Sequence, residues 1–239
     1  MTQNKKHCDK GSNIKIQTFS LHPSTNLRIS FHTKIENPHD IANTVLSMKE
    51  NLGDGSITGE KFILLNSKLI VSMDHIGIAA NSALIRFENT MLRSVEDTGD
   101  QSTTEHRTTR QKKRRGVAIE TVVCAGGSTN VGIVLREFAF DCGQSNASHV
   151  SGSQVESGVS ASLFALGFDC KDDEEYVQFL GKVGLGPPEP IDDYIERNRT
   201  EKEMEDIRRT FKLTDEEIEM NGSSLKNAVL TRIASKYHV

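Results

Sequence analysis

Near the start of the chain, apolar and polar residues alternate in two short segments. Such alternation places every second side chain on one side of an extended backbone, so each segment predicts a half-buried β-strand. Pro23 and Ser24 lie between the segments and predict a turn over residues 22–26. The alternating apolar positions are Ile14 and Ile16 in the first strand and Leu27, Ile29 and Phe31 in the second.

Longer apolar runs predict further strands at residues 62–65 and 163–168, and residues 69–72 are an additional candidate. Residues 120–138 predict a strand, a loop and a helix. Val122 and Val123 are β-branched and favour a strand, and Gly126 and Gly127 permit a tight turn.

Two segments have apolar residues at every third or fourth position, which is the spacing of an amphipathic helix. One is predicted over residues 75–92, with its apolar face at Ile76, Ala80, Leu84, Phe87 and Met91. Its small residues Ala79, Ala80 and Ala83 allow a second helix to approach closely. The other is the last helix, which Ser223 or Ser224 caps, and its apolar stripe is Leu225, Ala228, Val229 and Ile233.

Three more helices are predicted, two of them from start signals. Asn37 and Pro38 have the spacing of a cap and a first helical residue, and Thr214 and Glu217 have that of a capping box. A strongly charged segment, residues 191–209, is also predicted to be helical.

Length and composition favour one domain. With 239 residues and 36% hydrophobic content, the chain can bury one core. We expect an α/β (α+β) domain over residues 13–239, with a mostly antiparallel sheet of four to five strands packed with helices. Residues 1–12 are predicted to be a flexible N-terminus, and polar stretches at 94–115 and 141–160 to be disordered insertions.

The chemical inventory contains no recognisable catalytic set. Ser128 has no Asp–His pair close in sequence, the four cysteines stand far apart, and the eight histidines are scattered singly. We therefore expect no metal and no cofactor. The chain contains neither an apolar N-terminal run nor a stretch long enough to span a membrane.

Binding surfaces remain open to several interpretations. The glycine loop can be a plain turn or an anion contact at a helix N-terminus capped by Ser128, Thr129 or Asn130. The net charge of −4 restricts any nucleic-acid contact to a local patch. The basic run at residues 112–115 can be a solvated flank, a nuclear-import signal or a phosphate contact. Arg86 can lie along the surface or fork onto a phosphate or carboxylate.

Five segments in fixed order carry a family resemblance. They read L-G-D-G-S-I-T-G-E-K-F-I-L-L-N, I-A-A-N-S-A-L-I-R-F, the glycine loop G-G-S-T-N-V, F-K-L-T-D-E-E-I and S-S-L-K-N-A-V-L-T-R-I-A. In this order and spacing the chain resembles the PRPK-binding protein family (TPRKB), the kinase-associated small subunit of the EKC/KEOPS complex. Family members usually carry S-P-x-x-N-I where this chain has G-G-S-T-N-V, so the proline is absent and Asn130 stands at the matching place.

The resemblance implies a non-catalytic subunit that binds a small atypical protein kinase, partly through an exposed last helix. That kinase adjoins the catalytic subunit that transfers a threonylcarbamoyl group to tRNA. Related subunits also hold the tRNA 3' CCA end. We expect both cytoplasmic and nuclear localisation. The predicted kinase-binding residues are Leu225, Ala228, Val229, Arg232, Ile233, Ala79 and Ala83, and the predicted tRNA-binding residues are Lys61, Arg86, Ser128 and Asn130.

Two other classes of function are compatible with the sequence. One is a small α/β enzyme that acts on a phosphorylated metabolite through Ser128 or Lys61. The other is an RNA-binding module that works without a kinase.

Overall fold

The computed structural model describes residues 13–35, 40–41, 44, 61–96, 116–128, 130–138, 161–191 and 199–236. Four expectations lie wholly or mostly outside these residues: the flexible N-terminus, the helix start at Asn37 and Pro38, the two polar insertions, and the basic run at 112–115. Within the described part of the chain, the protein is a single α+β domain, as the sequence predicts.

A four-stranded antiparallel sheet forms the centre of the domain. Its spatial order is β1-β2-β4-β3, so β2 and β4 are central. The strands are β1 (Lys15–Phe19), β2 (His22–Ile35), β3 (Phe62–Asn66) and β4 (Ala161–Phe168).

The turn of the first hairpin lies earlier than predicted. β1 ends at Phe19 and β2 already begins at His22. The pairing then shifts, because Phe19 faces His22 whereas Thr18 faces Asn26. Pro23 therefore lies in an irregularity of an edge pairing, where the missing backbone N–H is tolerated.

Seven α-helices have their bounds within the described residues. They are α1 (Met73–Glu96), α2 (Val117–Ala125), α3 (Val131–Phe138), α4 (Asp173–Val183), α5 (Glu201–Phe211), α6 (Asp215–Met220) and α7 (Leu225–Lys236). The capping box at Thr214 and Glu217 and the cap by Ser224 are confirmed. The second half of the predicted helix over 191–209 is described, and it forms helix α5, which begins at Glu201 and ends at Phe211.

Two strand predictions are wrong. Val122 and Val123 lie in helix α2, which packs against α1, β3 and β4 and is buried on most of its surface. Burial on all sides overrides the strand preference of β-branched residues, since apolar contacts decide the conformation there. Leu69 is the last residue of a short 3-10 helix, Ser67–Leu69, and residues 70–72 connect that helix to α1.

Helix α4 has no counterpart among the predicted helices. Asp172 caps it by accepting from the Glu175 N–H at 2.8 Å, and Gly184 ends it in the left-handed conformation with φ 78°. Both signals stand in the sequence, but the dense charges of its first turn hid its apolar face, which consists of Tyr176, Phe179, Leu180 and Val183.

Both faces of the sheet are buried. On the first face, Leu27, Ile29 and Phe31 of β2 join a large apolar cluster with residues from α1, α2, α3, α5 and α7. On the second face, Phe62 and Leu64 of β3 join a smaller cluster formed mainly with α4.

Candidate docking surface

The first and last of the described helices pack against each other on the first face of the sheet, as the sequence predicts. Ala79 and Ala83 of α1 are buried, and so are Ala228, Val229 and Ile233 of α7, while Leu225 is partly buried. Lys226 pairs with Asp74 across the two helices at 3.7 Å. The predicted kinase-binding stripe therefore packs into the protein's own core, which accounts for its helical spacing.

A second apolar ridge of α7 remains partly exposed. Leu230 and Ala234 are four residues apart, so they lie one turn above each other on the helix. Together with Ile78 of α1 and the hairpin residue Leu21 they border a groove of about 640 Å³. Leu21 is 71% exposed, so its apolar side chain is accessible at the rim of the groove.

Polar side chains from the same elements complete this groove. Gln17 of β1 and Asn81 and Ser82 of α1 line it. An added Cβ at Gly77 would stand 2.4 Å from the Gln17 amide nitrogen, so the Gln17 side chain packs directly against α1 at this glycine. We call this groove, between the β1–β2 turn, α1 and α7, the α1–α7 groove.

Arg232 is fixed by neighbouring helices. Its guanidinium donates to both carboxylate oxygens of Glu217 and to the carbonyl of Lys212, and its side chain is about one-third exposed. The Thr214 N–H and then Arg232 lower the pKa of Glu217 by hydrogen bonding. Arg232 thus clamps α7 to the start of α6, so its reversal affects the fold as well as any partner.

The predicted tRNA-binding residues lie in three places. Lys61 precedes β3 and donates to the Asp169 carbonyl at 3.3 Å and to Glu175 of α4 at 3.2 Å. Arg86 of α1 forms an ion pair with Glu120 of α2 at 2.7 Å. Because α4 covers the second face and α1 and α2 the first, the packing separates Lys61 from Arg86.

The glycine loop joins two helices and carries Ser128 and Asn130. Asn130 caps α3 by accepting from the Ile133 N–H at 3.2 Å, while the Asn130 N–H donates to Ser128 Oγ at 3.2 Å. Gly127 has φ 55° and packs near Ile233 and Phe211. The loop is thus held against the core, and its polar residues face outward at the start of a helix.

A cation from a distant part of the sequence contacts this loop. Lys236 of α7 donates to the Gly127 carbonyl. Burial, followed by the charges of Arg232 and Lys212, lowers the pKa of Lys236. Sequence reasoning missed Lys236 and its neighbour Lys212, because only the fold brings Lys236 to the Gly127 carbonyl.

The family model of kinase binding protein CGI-121 matches residues 32–237. The chain belongs to the CGI-121 family. This confirms the resemblance to the PRPK-binding protein family, and it supports a protein kinase as partner. A search of curated proteins found no match.

Within the residues that the structure describes, this CGI-121 family member has neither a candidate metal site nor a candidate membrane-spanning helix. No three His, Cys, Asp or Glu side chains in those residues are grouped to hold a metal ion. None of the described helices has the length and hydrophobicity required to cross a bilayer.

Proposed function

We propose that this protein is a non-catalytic subunit of the EKC/KEOPS complex that modifies tRNA with threonylcarbamoyladenosine, and that it binds the small atypical kinase subunit through the α1–α7 groove. Contact with the catalytic transferase subunit is then indirect, through the kinase. The observation that carries this proposal is the exposed apolar rim of a groove between the two predicted docking helices, in a chain of a kinase-binding family. In this proposal the protein acts in the cytoplasm and the nucleus.

Because the predicted stripe is buried, we assign the kinase contact to the side chains that border the groove instead. Ala79, Ala83, Ala228, Val229 and Ile233 support it from beneath. Leu21, Ile78, Leu230 and Ala234 supply the apolar contact, and Asn81 and Gln17 add hydrogen-bonding groups to the same groove. Specific protein interfaces combine apolar contacts with a smaller number of hydrogen bonds.

Leu21→Asp tests the kinase contact. Leu21 is largely exposed, so the fold should tolerate a charge there, whereas a kinase that covers it would bury that charge without a partner. We expect at least a ~10-fold weaker complex, about 1.4 kcal/mol, by calorimetry with the purified kinase.

Met220→Asp is the matched control. Met220 lies on α6 and is 87% exposed, and the residues lining the α1–α7 groove do not include it. Its replacement should leave kinase affinity unchanged. Equal affinities of wild type and Leu21→Asp, with both folded, would remove the groove from the interface.

The second part of the proposal concerns the tRNA 3' CCA end. The loop with Ser128 and Asn130 offers outward polar groups, and Lys236 and Lys212 add positive charge beside it. The proposal also includes Lys61 and Arg86 as phosphate contacts. Lys61 would give up its ion pair with Glu175 for a phosphate, and Arg86 would give up its ion pair with Glu120. Splayed bases and phosphates are the groups that such sites recognise in single-stranded RNA.

Measuring tRNA binding as a function of salt tests this part. Lys212→Ala should reduce the slope of log affinity against log salt by about one unit if the lysine contacts one phosphate. Trimming the CCA end should weaken binding. Equal affinity for whole and trimmed tRNA would exclude the CCA end as the ligand.

Catalytic activity is not part of the proposal. Ser128 Oγ already accepts from a backbone N–H, and Lys61 forms an ion pair. We expect no phosphatase or ATPase turnover from the isolated protein. Turnover that is lost in Ser128→Ala or Lys61→Ala would instead favour the enzyme hypothesis.

A further inference from the structure

A second groove lies on the opposite side of the sheet from the α1–α7 groove. Residues 32–35 at the end of β2 and residues 181–187 at and after the end of α4 line it, together with Asp40, Ile41 and Thr44. Ile35, Val183 and Leu185 supply apolar surface, and the volume is about 520 Å³. This volume is in the range of sites for small molecules.

A chain of buried hydrogen bonds leads to this groove. Tyr176 Oη donates to the Ala165 carbonyl at 2.7 Å, since a carbonyl only accepts. The contact of Tyr176 with Ser30 Oγ at 2.8 Å must then use the Ser30 proton, so Ser30 donates to Tyr176. Ser30 Oγ is left to accept from His32 Nε2, which lies at 2.8 Å.

This order fixes the tautomer of His32. Burial lowers the pKa of His32 to about 4, although the Gly186 backbone and the charge of Glu189 partly oppose the shift. The ring is therefore neutral near pH 7, its proton is on Nε2, and Nδ1 has a lone pair. Nδ1 is buried and makes no hydrogen bond of normal geometry with any described residue.

A buried acceptor without a hydrogen bond costs free energy. A ligand that donates to this acceptor recovers about the same free energy on binding. His32 itself is only 3% exposed and lines the groove. Nearby charges do not favour one sign of ligand, because Lys34 and Lys182 are offset by Asp40 and Glu189. An ammonium group would also lose its hydration on entering.

We propose that this groove binds a compact, uncharged molecule that has an apolar body and one hydroxyl or N–H group, which donates to His32 Nδ1. The site lies on the face of the sheet away from α1 and α7, so it does not overlap the proposed kinase contact. Access requires the segment that covers Nδ1 to shift. Open space lies beside this segment, since positions for an added Cβ at Gly184 and Gly186 meet no atom within 4 Å.

Imidazole nitrogen NMR on the full-length protein tests the proposal, with phenol as the probe and toluene as the matched probe without a donor. We expect phenol to shift the His32 Nδ1 resonance saturably toward that of a hydrogen-bonded nitrogen, and toluene to leave it unchanged. His75 is the internal control. It is equally buried, but its Nδ1 already accepts from the Val71 N–H at 3.3 Å and its Nε2 donates to the Ala125 carbonyl at 2.9 Å, so its resonances should stay fixed.

Three outcomes would overturn the proposal. One is a His32 signal that phenol does not move up to its solubility limit. Another is an equal shift with toluene, which would mean apolar partition without recognition of a donor. The third is an Nδ1 that is already hydrogen-bonded in the free protein and unaffected by either probe, which would mean a resident water.

Ser30→Ala links the site to its hydrogen-bond chain. It removes the acceptor that holds the proton on Nε2, so the proton is free to move to Nδ1 beside the Gly186 backbone. We expect at least about tenfold weaker phenol binding in a folded variant. Unchanged affinity would contradict the proposed role of the tautomer, and the wild-type measurement decides the proposal if the variant does not fold.

Discussion

Strand β2 presents Leu27, Ile29 and Phe31 to the first face of the sheet and Arg28, Ser30 and His32 to the second, and all six side chains are buried. The first face is covered by five helices that supply apolar side chains. The second is covered mainly by α4, which supplies polar partners as well as apolar residues. One strand thus separates a hydrophobic core from a buried polar network.

The polar side of β2 depends on specific partners. Arg28 donates to Asp173 at 2.8 Å, to Asn26 at 2.5 Å and to the Cys170 carbonyl at 2.8 Å. Gly167 of β4 leaves room for Tyr176, whose ring would stand 2.7 Å from an added Cβ. The first face tolerates any apolar side chain of suitable volume, whereas the second requires particular donors and acceptors.

Leu27→Ala should have the largest effect on stability. Leu27 is fully buried on the first face, so its truncation loses apolar contact and leaves a cavity. We expect the free energy of unfolding to fall by about 3–5 kcal/mol in urea unfolding. Ile16→Ala is the control, because Ile16 is 55% exposed on β1, and it should cost less than about 0.5 kcal/mol. Equal losses in the two variants would contradict this assignment of the core.

Acidification should destabilise both faces, because each contains one buried neutral histidine. Burial lowers the pKa of His75 on the first face and of His32 on the second from 6.5 to about 4. Between these values the unfolded chain binds more protons than the folded protein, so stability is full above pH 6.5 and is lost as pH falls. Each histidine should contribute a slope of about 1.4 kcal/mol per pH unit.

Urea unfolding at about pH 7 and about pH 5 measures this effect. The His32→Gln variant should lose about half of the slope, since His75 still titrates. Neighbouring charges do not reverse the sign. Arg199 acts on His75 in the same direction as burial, while Glu189 only partly opposes the shift at His32. Equal stability at the two pH values would mean that neither histidine is buried in its neutral form.

Tyr176→Phe tests the polar network alone. The substitution keeps the ring that packs near Phe62 but removes the oxygen that connects Ser30 to the Ala165 carbonyl. We expect a loss of about 1–3 kcal/mol, the cost of leaving a buried donor or acceptor unpaired. A neutral result in urea unfolding would mean that Ser30 finds another partner and that the chain is not needed for stability.

Hydrophobic spacing was sufficient to predict α1, α7 and β2 on the first face, but not α2, which the sequence predicted as a strand. The stripes of α1 and α7 and the apolar side of β2 all pack there, because one-sided apolar patterns must be buried. The second face could not be predicted this way. Alternation in β2 suggests that Arg28, Ser30 and His32 face water, and only a charged-looking helix, α4, converts that side into a buried one.

The candidate site also has one part that the sequence predicts and another part that it does not. That α7 packs against α1 follows from the stripe and the small residues of α1. The α1–α7 groove includes Leu21 of a hairpin turn, and the positive charge near the glycine loop comes from Lys236 and its neighbour Lys212. Those residues are far apart in sequence, and nothing in their local patterns indicates that they meet.

Arg232→Glu should have the smallest effect, and it sharpens the distinction between folding and docking. The side chain is partly exposed, so the loss of its ion pair with Glu217 is screened by water. The new carboxylate would still face Glu217, and the Lys212 carbonyl would lose a donor. We expect a measurable fall in melting temperature, smaller than that of Tyr176→Phe.

The same reversal in a Glu217→Gln background, where the amide oxygen can still accept from the Thr214 N–H, should lower the melting temperature less because the repulsion is gone. If both backgrounds lose the same amount, the Arg232–Glu217 contact does not stabilise the junction of α6 and α7, and a weakened kinase complex in Arg232→Glu would then report a direct contact with the partner.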